Sequence, residues 1–241
     1  MPEHRLQLLD PRCVARTSSQ GFRYSLGGLS KEDLHVADEF DAKWESTRAM
    51  IRSDPATAIQ RIGELLATID RHPLLEHNRE DLQRGLGEAN MVAGNRPAAM
   101  KIYEQLLQTE PGCKPKATYP AACGEAQMDL AVVKMMSADV PGALSLEQAA
   151  AANFRNQLSL ETPRELDGLQ HYVHLCKLGE AQAYSAILLA GPGKVDEARR
   201  VLDECVTALG KVFANTEVQP NLRNEAQRYL DLAKLQQSKL K

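Results

Sequence analysis

Residues 83–111 read QRGLGEANMVAGNRPAAMKIYEQLLQTEP. Apolar and small residues recur at helical spacing on both sides of Gly94-Asn95, a pair that marks a turn, while Pro97 and Pro111 mark a helix start and a helix end. The stretch therefore reads as two helices folded back on each other. Leu86-Gly87 sits in the first; Ala99, Tyr103 and Leu106 follow in the second. Gly87 and Ala99 are small where the two helices cross, so the backbones can approach, and Tyr103 fills the space beyond them.

The same frame recurs three more times, a small residue twelve positions before an Ala and a turn residue four before it. The sets are Ser46, Asp54, Ala58; Gly87, Asn95, Ala99; Ala131, Asp139, Ala143; and Ala186, Lys194, Ala198. The residue four after the Ala is Ile62, Tyr103 and Leu202 in three sets, and Glu147 in the third, which departs from the pattern there. The Ala positions lie 41, 44 and 55 residues apart. The Leu-Gly pair, the Ala with an aromatic four residues on and the closing Pro resemble the tetratricopeptide repeat (TPR), over about residues 38–210. That resemblance implies an all-α fold: a right-handed superhelix of antiparallel helix pairs, about nine helices in total with a C-terminal cap.

Working outward, Ser30 with Asp33 is a near capping box for a first helix over 31–52, and Asp54-Pro55 opens a second that His72-Pro73 breaks. A third runs to Ala93 and a fourth from Pro97 to before Pro111; 111–118 reads as a loop. Helices follow over 119–136 and 139–158. Thr162-Pro163-Arg164-Glu165 then caps a helix that reaches Ala190, where Gly191-Pro192-Gly193 stops it. The last two helices cover 194–213 and 220–239, the latter with Leu222, Ala226, Leu230 and Ala233 on its inward side. Residues 1–29 read as an irregular arm, and 30–241 as a single repeat domain.

Hydrophobic residues at 43% and charged residues at 25% exclude a disordered chain, and aromatics at only 5% favour helices rich in Ala and Leu over sheets. A net charge of −3 gives no basis for nucleic-acid binding. No stretch reaches membrane-span length, so membrane insertion is not expected. The first residues lack the apolar run of a signal peptide, and Cys13, Cys113, Cys123, Cys176 and Cys205 are odd in number and scattered. Together these features predict a cytoplasmic protein with free, mostly buried thiols.

The resemblance implies function as well as fold: in such repeats the first helix of each pair lines a concave face that holds partner peptides. By position that face comprises Lys43, Thr47, Met50; Arg84, Glu88, Met91; Met128, Val132, Met135; and Ala183, Ile187, Ala190. Four of the seven methionines fall there, and flexible, polarizable Met suits a groove for an amphipathic helix or extended segment. The implied protein is a non-catalytic scaffold, with a specialised chaperone or a peptide-sensing regulator as alternatives. The carboxylate clamp of some family members is not expected, because Arg84 and Glu88 stand where it needs Lys and Asn. Four Arg in the first 30 residues (Arg5, Arg12, Arg16, Arg23) face eight bases and thirteen acids over 31–95, so the arm is a candidate for self-occupation or exchange between chains.

Other residues look chemical at first reading. His171 and His174 share a helical face, yet no fourth ligand is signalled, and the pair reads as structural or solvent-facing. Gly191-Pro192-Gly193-Lys194 lacks the spacing of a phosphate loop. Cys113 and Cys123 flank a loop and are placed to oxidise, though nothing in the sequence lowers a thiol pKa. No catalytic arrangement, metal set or cofactor motif stands out.

Overall fold

A computed structural model describes residues 30–162 and 168–240. The expected N-terminal arm, with its four arginines and Cys13, and the Pro163–Glu165 part of the predicted cap lie outside those residues. The described residues hold nine α-helices and no strand: α1 Lys31–Met50, α2 Pro55–Arg71, α3 Arg79–Val92, α4 Arg96–Thr109, α5 Pro120–Met136, α6 Val140–Leu160, α7 Leu169–Ala190, α8 Val195–Ala214 and α9 Pro220–Lys239. They fall into two compact units, one ending at Leu106 and the other beginning at Leu107. No helix among the described residues is long and apolar enough to cross a membrane.

Local chemistry sets the helix starts. The Ser30 hydroxyl accepts from Asp33 N at 3.1 Å while the Asp33 carboxylate accepts from Ser30 N at 3.0 Å, which completes the capping box. Asp54 accepts from Thr57 N at 3.2 Å with Pro55 beside it, and Asp139 accepts from Gly142 N at 2.9 Å. Bonds from the Lys134 ammonium and the Gly142 amide hold the Asp139 carboxyl below the usual carboxylate range. The third helix differs from expectation. Residues Pro73–Asn78 form a 3-10 helix, and α3 begins only at Arg79, whose guanidinium ties Asp70 (2.7 Å) to Glu76 (2.6 Å) across the junction. A second 3-10 turn, Pro111–Cys113, lies in the predicted loop.

Each helix pair turns at the expected place, but not all in the same way. Gly94, Ala138 and Gly193 have φ of 79°, 62° and 82°, and each stands directly before its cap residue. In these three turns the cap amide donates to the carbonyl five residues back: Asn95 to Asn90, Asp139 to Lys134, Lys194 to Leu189. The first turn lacks the left-handed residue, and Asp54 N donates only four back, to Met50. That changes the register of α1 against α2. Ser46, expected at the helix crossing, is exposed, and Thr47 is buried instead. The other small positions, Gly87, Ala131 and Ala186, are buried as the frame requires, as are all four repeat alanines.

In the first unit, Phe40, Trp44, Ile62, Ile69, Leu75 and Leu82 form the centre of the core. Trp44 packs on Gly85 and its indole N–H donates to Asp81 at 2.9 Å; Tyr103 packs on Gly87. In the second unit α7 is the hub. It packs against α6, α8 and α9 and is buried on nearly every side from Val173 to Leu189. Gly179 gives the closest approach, with the Leu209 side chain of α8 lying where a Cβ would stand.

Candidate partner-binding groove

A hub helix buried on all sides should be apolar all round. α7 is not: His174, Glu180, Gln182 and Ser185 are at most 2% exposed. Two of them line a groove of about 860 Å³ in the second unit. Three helices form it, each through one face at three- and four-residue spacing. α7 supplies the floor with Leu175, Leu178, Gln182 and Ser185; α6 supplies one wall with Gln148, Ala151, Arg155 and Leu158. α8 supplies the other, with Val201, Glu204, Thr207, Ala208 and Lys211 among its residues.

Part of the lining is apolar, through Leu158, Leu175, Leu178 and Ala208. Elsewhere the groove is polar and crossed by an ion pair. Arg155 Nη2 on α6 donates to Glu204 Oε2 on α8 at 2.5 Å, and Gln182 Nε2 donates to the same oxygen at 3.1 Å. Arg200 stands 3.7 Å from the other carboxylate oxygen. Gln182 Oε1 and Ser185 Oγ are buried and have no hydrogen-bond partner among the described residues. An unsatisfied buried polar atom costs about 1–3 kcal/mol, so two on one groove floor mark a place where stability yields to another requirement.

The expected concave residues divide by burial. Thr47, Met91, Met128, Val132 and Ala183 are buried at 4% exposure or less, and a buried side chain meets a partner only if the packing over it moves. Thr47 hydroxyl donates to Lys43 O at 2.8 Å, as a helix-facing Thr does. Lys43 is exposed; Met50, Arg84, Glu88, Met135, Ile187 and Ala190 are half-buried. Glu88 pairs with Arg52 at 3.4 Å, a partner the repeat frame did not indicate. None of these twelve lines the groove. Its residues went unsingled in the sequence because they lie on the second helices of two pairs and on a neighbouring face of α7. The available signal was Gln182 and Ser185, two polar residues three apart within an Ala- and Leu-rich helix.

Two other polar groupings are structural. His171 Nδ1 and His174 Nδ1 stand 2.5 and 2.6 Å from the two oxygens of Glu161, whose side chain is 5% exposed. The two rings share that one carboxyl group, and His174 Nε2 also meets the Tyr119 hydroxyl at 3.2 Å. Glu161 thereby fastens the end of α6 to the start of α7. Lys177 bonds Glu180 (3.0 Å) and Glu225 (3.3 Å); burial opposes its charge, but the surrounding carboxylates prevail and hold its pKa well above the ordinary lysine value.

The cysteines correct the expectation of free thiols throughout. Cys113 and Cys123 form a disulfide that ties the second 3-10 turn to the first turns of α5. Structural disulfides belong mostly to oxidising compartments, so the cysteine set no longer argues for a reducing one. Cys176 and Cys205 lie outside that bridge and are buried, and desolvation pushes the Cys205 thiol up to about 12.

Neither a protein-family model nor a curated protein matches the sequence. Among solved structures, two of a Podosopora anserina protein with nearly identical TPR-like repeats match it. One has TM-score 0.52 at 20% identity, covering 86% of this chain and 91% of the other. The second has TM-score 0.50 at 18% identity, covering 83% and 96%. The chain has a TPR-like helical-repeat fold. At such identity the likeness speaks for the fold alone.

Proposed function

We propose that this chain is a protein–protein interaction module without catalysis, and that it holds a segment of another polypeptide in the groove formed by α6, α7 and α8. TPR-like folds serve in general as protein-binding scaffolds, because stacked helix pairs present extended surfaces with polar and apolar strips. The observation that carries the reading is the groove itself. It combines an apolar patch (Leu158, Leu175, Leu178, Ala208), a charged rim and two floor atoms, Gln182 Oε1 and Ser185 Oγ, that lack partners among the described residues. Peptide sites pair an apolar pocket with placed polar groups, and this groove offers both, on a more charged lining.

Photo-crosslinking tests the assignment. A crosslinker at Thr207, exposed on the groove wall, should trap a bound peptide, and one at Lys43, exposed on the first helix of the first pair, should not. Trapping from Lys43 alone would return the site to the first-helix face.

A further inference from the structure

The groove has a closure built across it. Arg155 on α6 and Glu204 on α8 are separated by 49 residues in sequence and meet at 2.5 Å. Their side chains are 49% and 38% exposed, whereas Gln182, bonded to the same carboxylate oxygen, is 2% exposed. The pair therefore lies on the solvent side of Gln182 and spans from one wall to the other.

We propose that Arg155 and Glu204 form a clasp that an extended polypeptide displaces, and that Gln182 and Ser185 then bind the main chain of that segment. The inference rests on the groove being a polypeptide site and specifies how it reads its ligand. The occupant is extended and not helical for a reason of hydrogen bonding. A helix has spent its backbone N–H and C=O groups internally except at its ends, so it has nothing to offer along its length. An extended segment presents N–H and C=O groups at every residue. Gln182 Oε1 accepts an N–H, and the Ser185 hydroxyl donates to a carbonyl or accepts from an amide. These two residues are three apart on one face of α7, so they meet successive polar groups of one strand. A side chain of the same segment packs on the apolar part of the lining, Leu158 and Leu178.

The clasp is weak enough to open. An exposed ion pair of this kind contributes little, so its closure lowers affinity by about five-fold at most. Glu204 keeps Arg200 and the Gln182 amide nitrogen as neighbours after Arg155 leaves.

A random short-peptide library selected on Arg155→Ala protein supplies the probe, and the selected peptide is titrated against the native, Arg155→Ala, Gln182→Met and Ser185→Ala proteins, each first checked for native helicity and melting. The expected result is native affinity below that of Arg155→Ala by about two- to five-fold at low salt, the two converging at high salt because screening weakens the clasp. Gln182→Met and Ser185→Ala each lose affinity about ten-fold, and N-methylation of the peptide backbone, which leaves the protein untouched, abolishes binding at one or more positions. Equal affinity of native and Arg155→Ala at both salts, or a peptide indifferent to Gln182, Ser185 and N-methylation, overturns the clasp and main-chain reading while leaving a polypeptide site. No peptide enriched on Arg155→Ala protein removes the polypeptide site itself.

Discussion

The helix crossings of this protein depend on single missing side chains. A Cβ at Gly87 would stand 2.5 Å from the Tyr103 ring, and the ring is fully packed at 2% exposure. Gly87→Ala should therefore lower stability by about 1–3 kcal/mol through overpacking, read as a fall in the chemical-denaturation midpoint. Gly63, in the middle of α2, meets nothing within 4 Å. There the same substitution should raise stability by about 0.5–1 kcal/mol, since Ala restricts the unfolded chain and favours the helix. Equal effects at both sites would mean that Tyr103 does not pack on Gly87 in solution. Gly87 was legible in the sequence because its partner Ala99 lies twelve residues away, within one helix pair. Glu161 was not, because its meaning comes from two histidines across a chain reversal, and no local pattern pairs a carboxylate with rings ten and thirteen residues on.

The elements were legible wherever a cap or turn residue is local. Ser30, Asp54 and Asp139 each bond an amide three residues ahead, so their side chains alone place α1, α2 and α6. The first turn was placed correctly, but the crossing residue of α1 was misread by one position, Ser46 for Thr47, because turn conformation sets register and Ser53 does not take the left-handed φ of Gly94, Ala138 and Gly193. The loop before α5 was read as a loop, but its two cysteines were expected to be free thiols, since an odd, scattered set of five without close pairs signals no bridge. Joining positions ten apart restricts the unfolded chain, which by loop entropy stabilises the fold by about 2–3 kcal/mol. Reduction of the native protein, or Cys113→Ser, should lower stability by that amount in a denaturant titration. An unchanged midpoint on reduction would mean that the two thiols are not joined.

On the scale of the whole molecule, repeat logic gave the order of the helices, while the groove came from contacts that no repeat position encodes. Arg155 and Glu204 sit in different helix pairs, and Gln182 joins them from a third helix. Such a site is written in long-range pairs, which one sequence does not display. The first-helix face remains the competing surface, with Lys43, Met50, Met135 and Ile187 at least partly open to a ligand. Methyl NMR of the protein with a selected peptide separates the two most directly. Partner binding in the α6–α7–α8 groove predicts shifts and peptide contacts at Leu158, Leu178 and Val201, with the Met50, Met135 and Ile187 methyls unmoved. Shifts at Met50, Met135 and Ile187 with the groove methyls silent would contradict it.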